Sequence, residues 1–201
     1  MSFHPQMPYG EGWHKSERFI PEAGADFAFT PEHRAQLEEL CTHYPPERRK
    51  SAVISALYMV QAQQGHITGN AMRHVAEVIG CTPADVEDVV TYYVMFFTKP
   101  VGTYVLQVCR TLSCALNGAE KVTAELCKHL HVKPNETTAD GMFTVMEFEC
   151  LGACDRAPVI MVNNEHWAEC QGPGDVATLV DGLRAKGLAS LNGCHLVKER
   201  A

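Results

Sequence analysis

From Thr30 to Phe97 the apolar positions recur at helical spacing. Leu37, Leu40, Cys41 and Tyr44 share one stripe before Pro45-Pro46 stops it, and Val53, Leu57, Val60 and Gln64 share the next, with Ala56 beside them and Gly65 as the left-handed stop. Met72, Val75, Ala76 and Ile79 line a third segment opened by Asn70 and closed by Gly80, and Val86, Val89, Val90, Tyr93 and Phe97 line a fourth. Thr30-Pro31 and Thr82-Pro83 each place a capping hydroxyl before a proline, whose missing N–H costs nothing in a first turn. Glu32 and Asp85 add negative charge where the helix dipole favours it. The second helix is expected to begin at Arg48-Arg49-Lys50. Four helices with short connections over residues 30–98 predict a small four-helix bundle.

At Lys99-Pro100-Val101-Gly102 the period changes from helical to alternating, which marks a domain boundary. Tyr104, Leu106 and Val108 alternate with Val105, Gln107 and Cys109 as a strand, and Ala115 to Leu130 reads as one helix with Val122, Leu126 and Leu130 four apart. Cys127 falls in that apolar stripe and reads as core. After the polar turn Asn135 to Gly141, Met142 to Phe148 alternates again, so the two strands form a parallel unit with a right-handed crossover. Pro158 to Val162 and Glu165 to Ala168 read as a hairpin about Asn163-Asn164, and a last helix runs from about Asp175 to Lys186. The whole is α+β: helices over 30–98, then a βα-β-ββα domain over 99–187.

The ends have no such pattern. Residues 1–29 mix Pro and Gly with Phe3, Tyr9, Trp13, Phe19, Phe27 and Phe29, more aromatics than a disordered tail carries, and are expected to form an extended strap. Residues 188–201 form a short tail containing Cys194.

A net charge of −7 without a Lys/Arg block argues against nucleic acid as partner and against attraction to anionic lipid. No apolar run is long enough to insert into a membrane, and the first twenty residues lack the apolar stretch of a secretion signal. With nine cysteines and no such signal, a disulfide framework is the wrong inference and a reducing cytoplasm the right one.

Four of those cysteines form two pairs: C-R-T-L-S-C holds Cys109 and Cys114, and C-L-G-A-C holds Cys150 and Cys154. Both pairs fall at the carboxyl ends of predicted strands, where α/β sheets commonly build sites. Structural zinc knuckles usually take C-x2-C turns, which neither pair has, whereas C-x4-C opens the ligand run of plant-type [2Fe–2S] ferredoxins. Zinc, two disulfides and unrelated buried thiols remain the other readings of spacing alone. The histidines, His66 and His74 among them, have no mutual spacing that makes a metal site.

YPPERRKSAVISALYMVQAQQG, TYYVMF, PVGTYVLQVC and C-L-G-A-C-D-R-A-P-V resemble the E subunit of bacterial NADH-quinone oxidoreductase, respiratory complex I, over residues 31–186. The resemblance extends to the small subunits of soluble NAD-linked hydrogenases and formate dehydrogenases, which share a thioredoxin-like [2Fe–2S] domain. It implies a [2Fe–2S] cluster on Cys109, Cys114, Cys150 and Cys154 that accepts an electron from FMN. The chain has no G-x-G-x-x-G after a strand, so another subunit is expected to hold flavin and nucleotide. The resemblance implies that this partner is a flavoprotein holding FMN, NADH and a [4Fe–4S] cluster. Further iron–sulfur subunits would stand beside it in the cytoplasmic, peripheral arm of a membrane-bound complex. The chain would be an enzyme only as a subunit of NADH:quinone oxidoreductase.

Overall fold

A computed structural model of the chain describes residues 23–191. Phe3, Tyr9, Trp13 and Phe19 of the expected strap, and Cys194 of the expected tail, lie outside the described residues. The chain divides into two compact units, Met1–Lys99 and Pro100–Ala201.

In the first unit α1 spans Pro31–Cys41, α2 Val53–Gln64, α3 Gly69–Ile79 and α4 Pro83–Tyr92. Leu37, Ala56, Leu57, Val60, Val75 and Val86 are fully buried in a shared core. Residues Pro46–Ala52 wind as a 3-10 helix, not as the start of α2, and Arg48 departs from helical geometry at φ −113°, ψ 16°. That segment is polar, and the α-helix begins only where apolar residues resume, because packing of an apolar face supplies most helix stability. Thr68 caps α3 by accepting from the Ala71 N–H at 3.3 Å, so the helix starts before Asn70. Asn70 instead holds the preceding chain, donating from Nδ2 to the Gly24 carbonyl at 2.8 Å.

α4 ends at Tyr92, because Tyr93 turns to extended geometry at φ −93°, ψ 108°. Phe96 and Phe97 are buried in the turn that follows, so Phe97 does not belong to a helical stripe. Gln61 fixes this turn with both ends of its amide, accepting from the Phe97 N–H at 2.8 Å and donating to the Met95 carbonyl at 3.0 Å. Residues 23–29 form neither helix nor strand. Phe27 and Phe29 nonetheless pack on α3, with ring centroids 5.7 and 5.3 Å from that of His74.

The second unit is built on a sheet of order β2-β1-β3-β4, with β1 Tyr104–Cys109, β2 Phe143–Phe148, β3 Ile160–Val162 and β4 His166–Ala168. β1 pairs parallel with β2 and antiparallel with β3, and its residues Val105–Cys109 are all buried. Gln107, fully buried in that central strand, is satisfied by Asn164 of the hairpin turn: its Nε2 donates to Asn164 Oδ1 at 2.6 Å, and its Oε1 accepts from the Asn164 N–H at 3.1 Å. Asn163 and Asn164 sit at φ 56° and 61° in the three-residue turn 163–165, which the Glu165 N–H closes on the Val162 carbonyl at 3.2 Å. The single helix expected over 115–130 is two, α5 Leu112–Leu116 and α6 Ala119–Leu130, because Gly118 takes φ 91° between them. α7, Val176–Lys186, completes the unit.

Candidate metal centre

Each cysteine of the two pairs is delivered by a different local device. Cys109 is the last residue of β1, fixed there by its N–H to the Val159 carbonyl at 3.1 Å. Cys114 lies on the short helix α5, reached by the turn Arg110-Thr111. Cys150 follows the end of β2, and Gly152 at φ 78° turns the chain so that Cys154 opens the 3-10 turn Cys154–Arg156. The peptide Ala157–Pro158 beyond it is cis. The four cysteines line one small cavity together with Leu151, Gly152, Ala153 and Val159. Cys109 and Cys114 are buried at its base, and Cys150 and Cys154 are exposed at its mouth. Cys41, Cys81, Cys127 and Cys170 do not line it. A larger groove bordered by Trp167, Glu169, Asp175, Leu179, Lys186 and Leu191 contains no cysteine.

The sulfurs of Cys150 and Cys154 are 3.6 Å apart. Two thiolates held tetrahedrally about 2.3 Å from one metal are separated by about 3.8 Å, so this pair is already spaced to share an ion. Among the described residues no group of three or more His, Cys, Asp or Glu side chains is gathered to hold a single ion. Two pairs on one cavity, one of them already spaced for its own metal, fit a two-iron cluster.

The surroundings suit negative sulfur. Burial alone would raise the Cys109 thiol, but the Thr111 hydroxyl at 3.2 Å and the N–H groups of Thr111 and Leu151 outweigh it and bring its pKa below the ordinary value. The Gly152 N–H, then Cys154 and the Thr111 hydroxyl, lower the Cys150 thiol. Their partners move the other way. Burial and the neighbouring Cys109 push Cys114 up to about 11, and Cys150 raises Cys154. In each pair one sulfur releases its proton more readily than an ordinary thiol and the other less readily, and metal binding must displace both protons.

Of the two arginines beside the cysteines, Arg110 is turned outward and bonded to Glu149 at 2.7 Å, both side chains about 60% exposed. Arg156 is mostly buried, its Nε 3.4 Å from Asp155 and without a hydrogen-bond partner among the described residues. Sequence reasoning had no reason to select Thr111, Ser113 or Trp167. The Ser113 hydroxyl partly offsets the upward shift of the Cys154 thiol, and the indole Nε1 of Trp167 donates to the Leu151 carbonyl at 3.3 Å. Only the interval between the cysteines in C-R-T-L-S-C signals the first two, and nothing local signals a tryptophan from another strand.

A family model described as thioredoxin-like [2Fe-2S] ferredoxin matches residues 37–184, more than half of the chain and all four cysteines. The chain belongs to the thioredoxin-like [2Fe–2S] ferredoxin family. Within that family it is 43% identical over 149 residues to NADH-quinone oxidoreductase subunit 2 of Thermus thermophilus, covering 74% of this chain and 82% of that one. It is 36% identical over 155 residues to the E subunit of the NADH-quinone oxidoreductase of Pseudomonas aeruginosa, covering 77% of this chain and 92% of that one. A crystal structure of an NAD+-reducing [NiFe]-hydrogenase in the air-oxidized state superposes with a TM-score of 0.57 at 18% identity, over 67% of this chain and 23% of the hydrogenase chain. At that identity the superposition shows shared fold only. The ferredoxin-family chain has no helix, among the described residues, long and apolar enough to cross a membrane.

Proposed function

We propose that this chain is the electron-transfer subunit of the NADH dehydrogenase module of NADH-quinone oxidoreductase, with Cys109, Cys114, Cys150 and Cys154 as the ligands of its [2Fe–2S] cluster. The observation that carries the reading is the convergence of two cysteine pairs on one cavity, with the second pair's sulfurs 3.6 Å apart. When bound, the cluster carries one electron at a time and does no bond chemistry on a substrate.

The chain's own residues do the rest. Gly152 and Ala153 are small enough to bring the loop backbone against the sulfurs, and the Gly152 N–H already bonds Cys150. β1 and α5 bury one pair away from water while the turn after β2 keeps the other near the surface, where an electron donor can approach. That donor is proposed to be a flavoprotein subunit holding FMN, NADH and a [4Fe–4S] cluster. Further iron–sulfur subunits would lie beyond it in the peripheral, cytoplasmic arm of the complex. The helices over 30–98 are read as a four-helix bundle preceding the 99–187 cluster domain, between a strap over 1–29 and a tail over 188–201.

The test is analysis of the purified chain for iron and acid-labile sulfide, with visible absorption and EPR spectra, for the parent and for each single Cys→Ser variant. The expected result is two irons and two sulfides in the parent. Serine at any of the four positions disturbs this, while serine at Cys41, Cys81, Cys127, Cys170 or Cys194 does not. A Cys127→Ser chain that loses iron while Cys114→Ser keeps a normal complement overturns the ligand set. Stoichiometric zinc in place of iron overturns the redox function.

A further inference from the structure

Among the described residues threonine occupies the N-cap of four helices, and at three of them its hydroxyl does what a capping hydroxyl does. Thr30 accepts from the His33 N–H at 3.2 Å, Thr68 from Ala71 at 3.3 Å and Thr82 from Asp85 at 3.2 Å. Thr111 is the exception. It sits at the N-cap of α5 with extended geometry, φ −79°, ψ 172°, yet its side chain makes no cap bond. Its Oγ1 lies 3.2 Å from the sulfur of Cys109, within hydrogen-bond reach. α5 forgoes its cap bond, a contact usually worth having at a helix start, while this side chain faces the sulfur at the end of β1.

A hydroxyl carries one proton and two acceptor sites. With Cys109 deprotonated as a ligand its sulfur cannot donate, so Thr111 must be the donor. We propose that Thr111 is a positioning residue of the electron-transfer centre whose O–H, donated to the sulfur of Cys109, raises the reduction potential of the bound cluster. The inference rests on the ligand reading above. Its physical basis is that a donor to sulfur stabilises the more negative, reduced state over the oxidised one.

The experiment is a redox titration of the full, cluster-loaded chain followed by EPR, comparing parent, Thr111→Val and Thr111→Ser, with iron and sulfide measured on each. Valine keeps the shape and removes the donor, and serine keeps the donor. The expected result is unchanged iron and sulfide in all three, a parent-like potential for serine, and a lower potential for valine. At fixed solution potential its reduced-to-oxidised ratio falls about tenfold, which for one electron is about 59 mV. A loaded valine chain with the parent's potential overturns the role of Thr111 alone, as does a serine chain shifted as far as valine. A parent chain lacking iron and sulfide overturns the ligand reading and this role with it. Should the valine chain fail to load, alanine against serine carries the same test: a lower potential with alanine supports the role, and equal potentials overturn it.

Discussion

The indole Nε1 of Trp167, on β4, donates to the carbonyl of Leu151, between Cys150 and Cys154, at 3.3 Å. The N–H of the same leucine is one of the donors that lower the Cys109 thiol. Leu151 is thus held at its carbonyl by the hairpin and bonded through its N–H to the sulfur at the end of β1, which couples the ligand loop to the sheet. Trp167→Phe keeps most of the ring and removes the donor. Since one net hydrogen bond contributes about 1 kcal/mol and Trp167 is 46% exposed, global stability should change little. The ligand loop should open more often, so iron loss to a chelator, followed by bleaching of visible absorption, is expected to accelerate by several-fold. A Phe variant that loses iron at the parent's rate shows that the loop is held without the indole.

Asp85 closes the capping box of α4 and takes the Lys50 ammonium at 2.7 Å. Lys50, then the hydroxyl and N–H of Thr82, hold its carboxyl at about 2, below the ordinary 3.8. A depressed carboxylate contributes stability that is present above the unfolded pKa and is lost as pH falls through the folded one. Asp85→Asn should therefore melt a few degrees below the parent at pH 6. The two melting curves should converge as pH is lowered from 4 toward 2. Lys50 shifts up with Asp85 as the leading cause, so its share is present below the ordinary lysine range and fades only at strongly alkaline pH. A gap between the variants that stays constant from pH 6 to pH 2.5 excludes the carboxylate as its source.

Phe29 is 8% exposed against α3, and the segment that carries it is bonded to the helices through Ala28, Gly24 and Ala25. The described part of the expected strap is thus committed to its own helical unit, so its loss would act on that unit before it acted on any partner. Phe29→Ala should destabilise the helical unit by roughly 3 kcal/mol, the usual cost of emptying a phenylalanine site. Removal of residues 1–22 should leave that stability near the parent's. Denaturant unfolding followed by far-UV circular dichroism separates the two. Equal loss in both variants would place the stabilising contact before residue 23.

Helix starts were legible because their signals are local: Thr30-Pro31 and Thr82-Pro83 name a hydroxyl and an imino ring that act within one turn. The end of α4 was not, since the Phe97 N–H is held by the side-chain amide of Gln61, thirty-six positions earlier in the chain, and not by a helical carbonyl. The break at Gly118 was visible as a glycine, but a glycine can also continue a helix, and its φ of 91° is not written in the local pattern. That the cysteines fall into two pairs could be read from spacing, because each pair spans a short stretch; that both pairs line one cavity depends on the sheet. The Trp167 tether and the pairing of Gln107 with Asn164 join distant positions through the sheet, and no window of sequence contains them.

The two arginines next to the cysteines have the same charge and opposite settings, so they should affect the centre differently. Arg110 is compensated by Glu149 at 2.7 Å in solvent, where an ion pair has little reach beyond its own partner. Arg156 sits on the turn opened by Cys154, its Nε shielded from water and unbonded, and its Asp155 neighbour is 74% exposed. A cation at roughly 8 Å in an effective dielectric near 20 favours an added negative charge by about 2 kcal/mol. The opposing, solvated Asp155 cuts that several-fold. Neutralising Arg156 to Gln is therefore expected to lower the midpoint potential by on the order of tens of millivolts, using about 59 mV per tenfold change for one electron. Arg110→Gln should leave it within the error of the titration. EPR-monitored redox titration of both variants checks the contrast: a larger shift at Arg110 than at Arg156, or an upward shift at Arg156, means that burial does not decide which charge the centre feels.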